Sequence, residues 1–585
     1  MLYNYHESFT LPASDWLRVI YHGLRLDLSA GAYLMFIPAL LIISGIIPCN
    51  RIYMKAVDFY CFIFLFVIVF LGVSDMALYS YWGFKLDLTP VLMYIKTPGD
   101  ALASVNILEL LFLCLIFAII YVSFLFIYRK LIKEPVHSFK QHNWKTTIAL
   151  VLFVLLLFLP ARGGIGLAPV NLGAVYFHSE RFANHSAINV LWNSIYSLSE
   201  KSKLSISNRF MNDEKANEIF RELHPLTAVS EKKIIKNNPN IILIILESFS
   251  NKIIEPLGGE PGITPEFNKL CTEGLLFTNF FSSGDRSDKG LVSIFSGFPA
   301  QPVTSIINYP SKSQKLPFLK DSFFNDGYFT AFYYGGNLDF ANFRSYFTRR
   351  SVSSITDIHS FPGTFKKQKW GVPDNYVYDK ILNDLDTISQ PFFISFFTLS
   401  SHEPFDIPAE PVFGSSGRDD MSRNAFYFAD KCLGFFVNQA RIKPWWDNTL
   451  IILIADHGSR SPGNTPNHTK EKFSIPMLWI GGALQEKPAR NNIYASQVDL
   501  PATLLNQCGY NHTDFKYSKD IFSSLSCNFA FYSFHNGFGF LRDSVELIYD
   551  NAGGKFIHNS GEKTVSWYEN GEAILQVITN DFLLL

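Results

Sequence analysis

Hydrophobic positions change their grouping once along the chain. Before Pro160 they gather into four long runs, Ala30–Pro48, Phe59–Leu78, Val105–Tyr128 and Thr146–Pro160. A helix needs about 20 apolar residues to cross a bilayer, so four such runs in succession predict a multi-pass anchor. After Pro160 the apolar stretches shorten to strand length and are separated by helical segments. Strands are expected at Ile241–Leu246, Phe329–Tyr334, Phe392–Thr398, Leu450–Ala455 and Met477–Gly481. Near-continuous apolar strands divided by helices predict an α/β domain with a mostly parallel central sheet, covered on both faces.

This pattern divides the chain into a transmembrane part over 1–161, a connector over 162–238 and an α/β domain over 239–585, with a small C-terminal subdomain from about 511. The connector opens at Arg162-Gly163-Gly164, holds a helix-like segment over Asn184–Leu198, and closes between Glu231-Lys232-Lys233 and Pro239. Cytoplasmic loops carry excess Lys and Arg. Arg129, Lys130, Lys133, Lys140 and Lys145 therefore assign the third loop to the cytoplasm, and Arg51 and Lys55 share that side. The loop with Lys85 and Lys96, and everything after Pro160, falls outside, so the expected location is the cytoplasmic membrane with an extracytoplasmic C-terminal domain. The N-terminus then starts outside, or a further span precedes it.

Composition narrows the classes. The 585 residues are 48% hydrophobic and 17% charged, below the share of about 25% usual for soluble domains. Fifty basic against 51 acidic residues leave a net charge of −1, without the basic surplus of a nucleic-acid binder. The apolar content excludes disorder. The seven cysteines match no zinc spacing; Cys508–Cys527 is one conceivable disulfide, and isolated thiols are the preferred reading.

Candidate chemistry collects where strands end, the edge at which open α/β sheets hold ligands. The first strand runs into Glu247-Ser248, and Leu450–Ala455 into Asp456-His457-Gly458. A carboxylate ending an apolar strand is unfavourable to bury unless it meets a cation. Glu247, Asp456 and His457 make an oxygen/nitrogen donor set that suits Zn²⁺ or Mn²⁺. Gly284-Asp285-Arg286-Ser287-Asp288-Lys289-Gly290 precedes a helix-like run, Leu291–Ser296. Ser287 there is a helix cap or, beside a metal, a nucleophile of lowered pKa. Phe392–Thr398 ends in Leu399-Ser400-Ser401-His402, where His402 suits a phosphate oxygen or a leaving group. His468 and Lys472, in the loop after Asp456-His457-Gly458, are within reach of the site, and solvated loop residues is the preferred reading.

Taken in order, Glu247-Ser248, Thr264-Pro265, Arg286-Ser287-Asp288-Lys289-Gly290, Thr398 to His402, Asp456-His457-Gly458 and Gln497 to Leu504 resemble the lipoteichoic acid synthase family. These are membrane-anchored phosphoglycerol transferases within the alkaline phosphatase/sulfatase superfamily. The similarity spans nearly the whole chain, including Arg162-Gly163-Gly164 and Asn184-His185. The resemblance implies an alkaline phosphatase/sulfatase-like fold and one divalent metal, Mn²⁺ first with Zn²⁺ or Mg²⁺ as alternatives. Glu247, Ser287, Asp456 and His457 would be its ligands. Ser287 would also be the nucleophile of a two-step transfer, with His402 beside the substrate phosphate. Implied partners are a phospholipid donor such as phosphatidylglycerol and a glycan or glycolipid acceptor.

Three departures accompany the likeness. Ser287 stands where the family usually has Thr, and the count of spans is four rather than five. The recognition loop reads Gly335-Gly336-Asn337-Leu338-Asp339-Phe340-Ala341-Asn342-Phe343-Arg344, with Gly335 and Ala341 at the family's His and Trp. Arg286, Asn337, Asn342 and Arg344 are the expected substrate-binding side chains. Ser287 to Leu291 lacks the Pro and Arg of a formylglycine sulfatase motif. The rival readings are a phosphoethanolamine transferase, a phosphodiesterase or sulfatase-like hydrolase, and a non-catalytic membrane sensor or assembly factor.

Overall fold

In a computed structural model of the protein, the four apolar runs form the long helices α1 (Ala13–Ser44), α2 (Asn50–Trp82), α3 (Ile107–Ile127) and α4 (Trp144–Arg162). The structure describes residues 11–585 except 45–49, 83–84, 87–106, 134–143, 167–168, 179, 202–208, 226–229, 231, 366–367, 486–487, 544, 552 and 561–564. Pro48, Cys49, Lys96, Val105, Lys140 and Glu231 lie outside the described residues. All four helices are long and apolar enough to cross a membrane. On α3 the side chains of Leu108, Leu111, Ile119 and Val122 point outward, 73%, 62%, 58% and 62% exposed. A helix apolar on every side needs a surrounding as apolar as itself.

The described residues divide into two units, 1–205 and 206–585. In the first, α1 begins 17 residues before the expected apolar run, at Ala13 rather than Ala30. Its added half buries Val19 and Leu26 among Val175, Tyr176, Phe182 and Ala187. The helix-like segment Asn184–Leu198 is two helices, α5 (Arg181–Ala187) and α6 (Val190–Lys201), parted at an extended Ile188.

The second unit is built on strands β1 (Asn240–Leu246), β2 (Leu275–Phe277), β3 (Phe280–Phe281), β4 (Phe329–Tyr334), β5 (Ser354–Thr356), β6 (Phe392–Phe397), β7 (Thr449–Ala455), β8 (Met477–Ile480) and β9 (Ala489–Asn491). Eight of them form one sheet in the order β5-β4-β6-β1-β7-β8-β2-β9. Pairing is parallel from β5 through β7, while β8 runs antiparallel to both β7 and β2. Every residue of β1, β6 and β7 is buried, as a doubly covered parallel sheet requires.

Register aligns the chemistry. Leu246 of β1 pairs with Ala455 of β7, and Ile245 pairs with Phe397 of β6. The next residues, Glu247, Asp456 and Thr398, therefore emerge at one edge of the sheet. Strand β3 pairs with β10 (Ala495–Ser496). Beyond residue 511 come the antiparallel strands β11 (Ala530–Phe534), β12 (Gly537–Arg542), β13 (Val545–Asp550) and β14 (Lys555–Ser560) and the final helix Val565–Leu584. Cys508 and Cys527 are separate free thiols, so they are not bridged.

Candidate active site

The turn after β1 sets the site. Ser248 adopts a left-handed backbone (φ 61°), a conformation unfavourable for a residue with a Cβ and held only by its surroundings. Its N–H donates to Asp456 Oδ1 at 2.8 Å and its hydroxyl to Glu247 Oε1 at 2.6 Å. The His457 N–H donates to the same Asp456 oxygen at 2.8 Å. Asp456 and Glu247 are 0% and 2% exposed. Gln497, fully buried, ties the end of β7 down by donating to the carbonyls of Ala455 and Asp456 at 2.7 and 2.6 Å.

Ser287 opens helix α7 (Ser287–Ser296), with Arg286 in extended conformation at its N-cap. The Ser287 hydroxyl lies 3.3 Å from Glu247 Oε2 and 3.4 Å from His457 Nε2. Helix and strand approach closely because residue 290 is glycine: a Cβ there would stand 2.0 Å from Asp456 O. Backbone N–H groups at such a helix start favour an anion.

Glu247, Asp456 and His457 each offer a ligand atom within 4.8 Å of the others. Asp456 Oδ2 is buried with no hydrogen-bond partner, an arrangement that is unfavourable in an apolar interior. His457 Nδ1 faces Gly458 O at 3.1 Å; a carbonyl only accepts, so Nδ1 carries the proton and Nε2 presents its lone pair. Burial, and then the neighbouring Asp456 charge, hold the Glu247 carboxyl well above its ordinary range. Burial also holds His457 below its ordinary value, against the pull of Asp456. Two crowded carboxylates and an outward imidazole lone pair fit one divalent cation, whose charge would oppose the effect of burial on Glu247 and act with burial to keep His457 neutral.

Glu247, Ser287 and His457 open on a cavity of about 670 Å³ whose wall also holds Arg286, Phe340, Ala341, His402, Arg418, Arg460 and Lys472. His402 Nδ1 donates to Glu403 O at 2.6 Å, which leaves Nε2 for a substrate. The Trp370 ring packs 4.7 Å from His402 and 5.3 Å from Phe340. The recognition loop turns at Ala341 and Asn342, both at positive φ, and this brings Phe340 and Ala341 to the wall. Asn337, Asn342 and Arg344 are not in the lining. Asn337 caps its own turn by accepting from the Asp339 N–H at 2.9 Å, and Asn342 is 1% exposed. Arg344 is held by Asp339 and, at 2.9 Å, by Asp357.

Lys472 is the residue that sequence reasoning passed over. It is 4% exposed rather than solvated, and its ammonium donates to Gly458 O. Burial pushes its pKa down to about 8, while Asp285, Asp456 and Glu247 act in the opposite direction. The available signal was its place directly before the core residue Phe473 and the apolar strand β8. Trp370 reaches the site only through tertiary packing and carries no comparable signal.

Residues 239–510 match the family model described as Sulfatase. The chain is 22% identical over 482 residues to "Lipoteichoic acid synthase-like YvgJ" of Bacillus subtilis (strain 168), covering 77% of this chain and 76% of that protein. "Lipoteichoic acid synthase 2" of the same organism is 26% identical over 317 residues, 48% of this chain and 47% of that protein. The chain thus spans about three quarters of one relative and about half of the other. A crystal structure of an alkaline phosphatase superfamily protein from Vibrio parahaemolyticus superposes with a TM-score of 0.57 at 24% identity, covering 65% of this chain and 98% of that one; it shows the fold. These matches indicate a phosphotransferase/sulfatase-like enzyme, similar through its sulfatase domain to lipoteichoic acid synthase-like proteins.

Proposed function

We propose that this protein moves a phosphoglycerol-like head group from a membrane phospholipid such as phosphatidylglycerol to a glycan or glycolipid acceptor. The reaction runs through a covalent phospho-Ser287, on the extracytoplasmic side of a bacterial membrane. The observation that carries this reading is the Ser287 hydroxyl, 3.3 and 3.4 Å from two members of a three-residue metal-ligand set. The relatives' names supply the lipoteichoic acid context, and the four apolar helices supply the membrane.

Glu247, Asp456 and His457 would hold one divalent ion, Mn²⁺ first with Zn²⁺ or Mg²⁺ as alternatives. Bound there, such an ion lowers the pKa of a touching hydroxyl and neutralises phosphate charge. In the first half-reaction the Ser287 Oγ–P bond forms and the bond from phosphorus to the diacylglycerol oxygen breaks. The Ser287 proton passes toward Glu247 Oε2, and His402 gives a proton to the leaving oxygen from Nε2. In the second half-reaction the acceptor hydroxyl loses its proton to His402 Nε2 and attacks phosphorus, and the Oγ–P bond breaks as the proton held at Glu247 Oε2 returns to Ser287 Oγ. Arg286, Lys472 and the first N–H groups of α7 offset the phosphate charge throughout.

Full-length protein in nanodiscs with Mn²⁺ and head-group-labelled lipids tests the reading. Wild type is expected to release diacylglycerol from phosphatidylglycerol and not from phosphatidylethanolamine. S287A is expected to lower that rate by roughly 10³-fold or more, with an unchanged melting temperature. Release from phosphatidylethanolamine alone selects the phosphoethanolamine reading. Undiminished release by S287A removes the nucleophile assignment.

A further inference from the structure

The loop that carries His402 is held by a buried acid that the transfer steps do not use. Asp374 is fully buried and is the first residue of the helix Asp374–Leu385. An acidic side chain at a helix start usually serves its own helix. Here both oxygens are taken by another segment: Oδ1 accepts from the Leu399 N–H at 2.7 Å and Oδ2 from the Ser400 N–H at 3.1 Å. The Asp374 N–H donates in turn to the Ser400 hydroxyl at 2.9 Å. Burial pushes the Asp374 carboxyl up to about 6, against the pull of those two N–H groups. It is therefore an anion at neutral pH, and its bonds to the loop are charge-assisted.

The joint leads directly to the imidazole. The His402 N–H donates to Leu399 O at 3.0 Å, so the turn that presents His402 starts at a residue Asp374 fixes. Thr398 Oγ1 accepts from the Glu247 N–H at 2.9 Å, and the Ser401 hydroxyl donates to Glu247 O at 2.6 Å. The loop is thus tied to the end of β1 at 398 and 401 and to Asp374 between them. The chain just before Asp374 adds to the hold. The Lys369 N–H donates to Asp406 Oδ2 at 2.8 Å, and the Trp370 ring packs on His402. Its other edge meets the recognition loop, where the Val372 N–H donates to Gly335 O at 2.8 Å. A Cβ at residue 371 would stand 2.2 Å from Gly335 O, so this approach requires glycine.

We propose that Asp374 is the positioning residue of His402, setting the place of its imidazole against the leaving oxygen through Leu399 and Ser400; this rests on the reading of His402 as proton donor to that oxygen. Proton transfer needs heavy atoms within about 2.6–3.2 Å, and a misplacement of about 1 Å can lower a rate by about 10²-fold. A purely structural acid would lower stability when replaced without changing which leaving groups the enzyme handles. Asp430 supplies the comparison. It too is fully buried and accepts from two consecutive N–H groups, those of Glu266 and Phe267, at 2.8 Å each. Its partners lie on a segment that carries none of the site residues.

Full-length protein in nanodiscs with Mn²⁺ tests this, with first-step rates measured on two donors. From phosphatidylglycerol the P–O bond breaks to an alkoxide, which takes the His402 proton. From glycerol para-nitrophenyl phosphate it breaks to nitrophenolate, which departs as an anion and takes none. H402Q is expected to lower diacylglycerol release about 10²-fold and nitrophenolate release by no more than about threefold. D374N is expected to reproduce that asymmetry, about tenfold against less than about twofold. S400A, which removes one bond of the same joint and leaves the carboxylate in place, should show it to a smaller degree. D430N should lower the melting temperature without any asymmetry. Equal losses on both donors in D374N and S400A, or no loss on either, overturn the positioning role, while asymmetry in H402Q keeps the His402 reading. Absence of asymmetry in H402Q removes the His402 reading and the role of Asp374 with it.

Discussion

Lys472 carries a cation into the wall of the cavity that the buried Glu247 also lines. Its ammonium is fixed by Gly458 O, and its pKa near 8 keeps it largely charged at neutral pH. A charge placed where phosphate oxygens gather stabilises a transition state more than it would in water. K472M is expected to lower kcat by about 10²-fold with little change in melting temperature, and K472R to restore part of it. Steady-state kinetics on a soluble phosphodiester checks this, and an unchanged kcat in K472M rules the role out. The residue also shows where residue-level reading stops. Glu247, Asp456 and His457 stood out because a charged group directly ends an apolar strand. Lys472 sits in a polar run that stays largely exposed, and only folding turns this one side chain inward.

Among the elements, the contact between α7 and the end of β7 decides whether Ser287 meets its neighbours. Gly290 makes that contact possible, since a methyl group there would overlap Asp456 O. G290A is therefore expected to push the helix away from the strand, lowering stability by about 1–3 kcal/mol and turnover more than stability. Paired unfolding and activity measurements check it; wild-type turnover in G290A would show that the helix position is not critical. The parallel strands β1, β6 and β7 were legible because full burial on both faces leaves a continuous apolar run. The reversed direction of β8 was not, because a four-residue apolar run reads the same either way. The first half of α1 was hidden for a related reason. Its apolar residues Val19 and Leu26 lie among polar ones, as in an amphipathic helix, and only the neighbouring helix α5 shows what they cover.

At the level of the whole molecule, the candidate metal-ligand set joins separate parts of the chain. Glu247 and Asp456 lie more than 200 positions apart in sequence and become neighbours through the β1–β7 register. An ion that binds only this folded arrangement stabilises it, by about 2.7 kcal/mol at 100 times its dissociation constant. Mn²⁺ is expected to raise the melting temperature of the second unit's transition in a concentration-dependent way, and EDTA to reverse it. D456N should abolish the shift. Scanning calorimetry of the full chain reads this directly, and a Mn²⁺ shift that persists in D456N would place the ion elsewhere. Four apolar helices followed by an α/β unit was equally a whole-molecule property, and it was readable from the spacing of apolar runs alone.

The sequence by itself determined the types of the main elements, the division into four apolar helices and an α/β part, and which polar residues follow the apolar strands. Each of these follows from local periodicity and from the penalty of ending an apolar strand in a charge. Tertiary structure alone decided which side chains share a cavity. It replaced Asn337, Asn342 and Arg344 with Phe340 and Ala341 in the wall, added Lys472, and placed Trp370 against His402. The reason is physical: local pattern records how much of a residue is buried, whereas adjacency depends on strand register, turn conformation and the packing of distant loops.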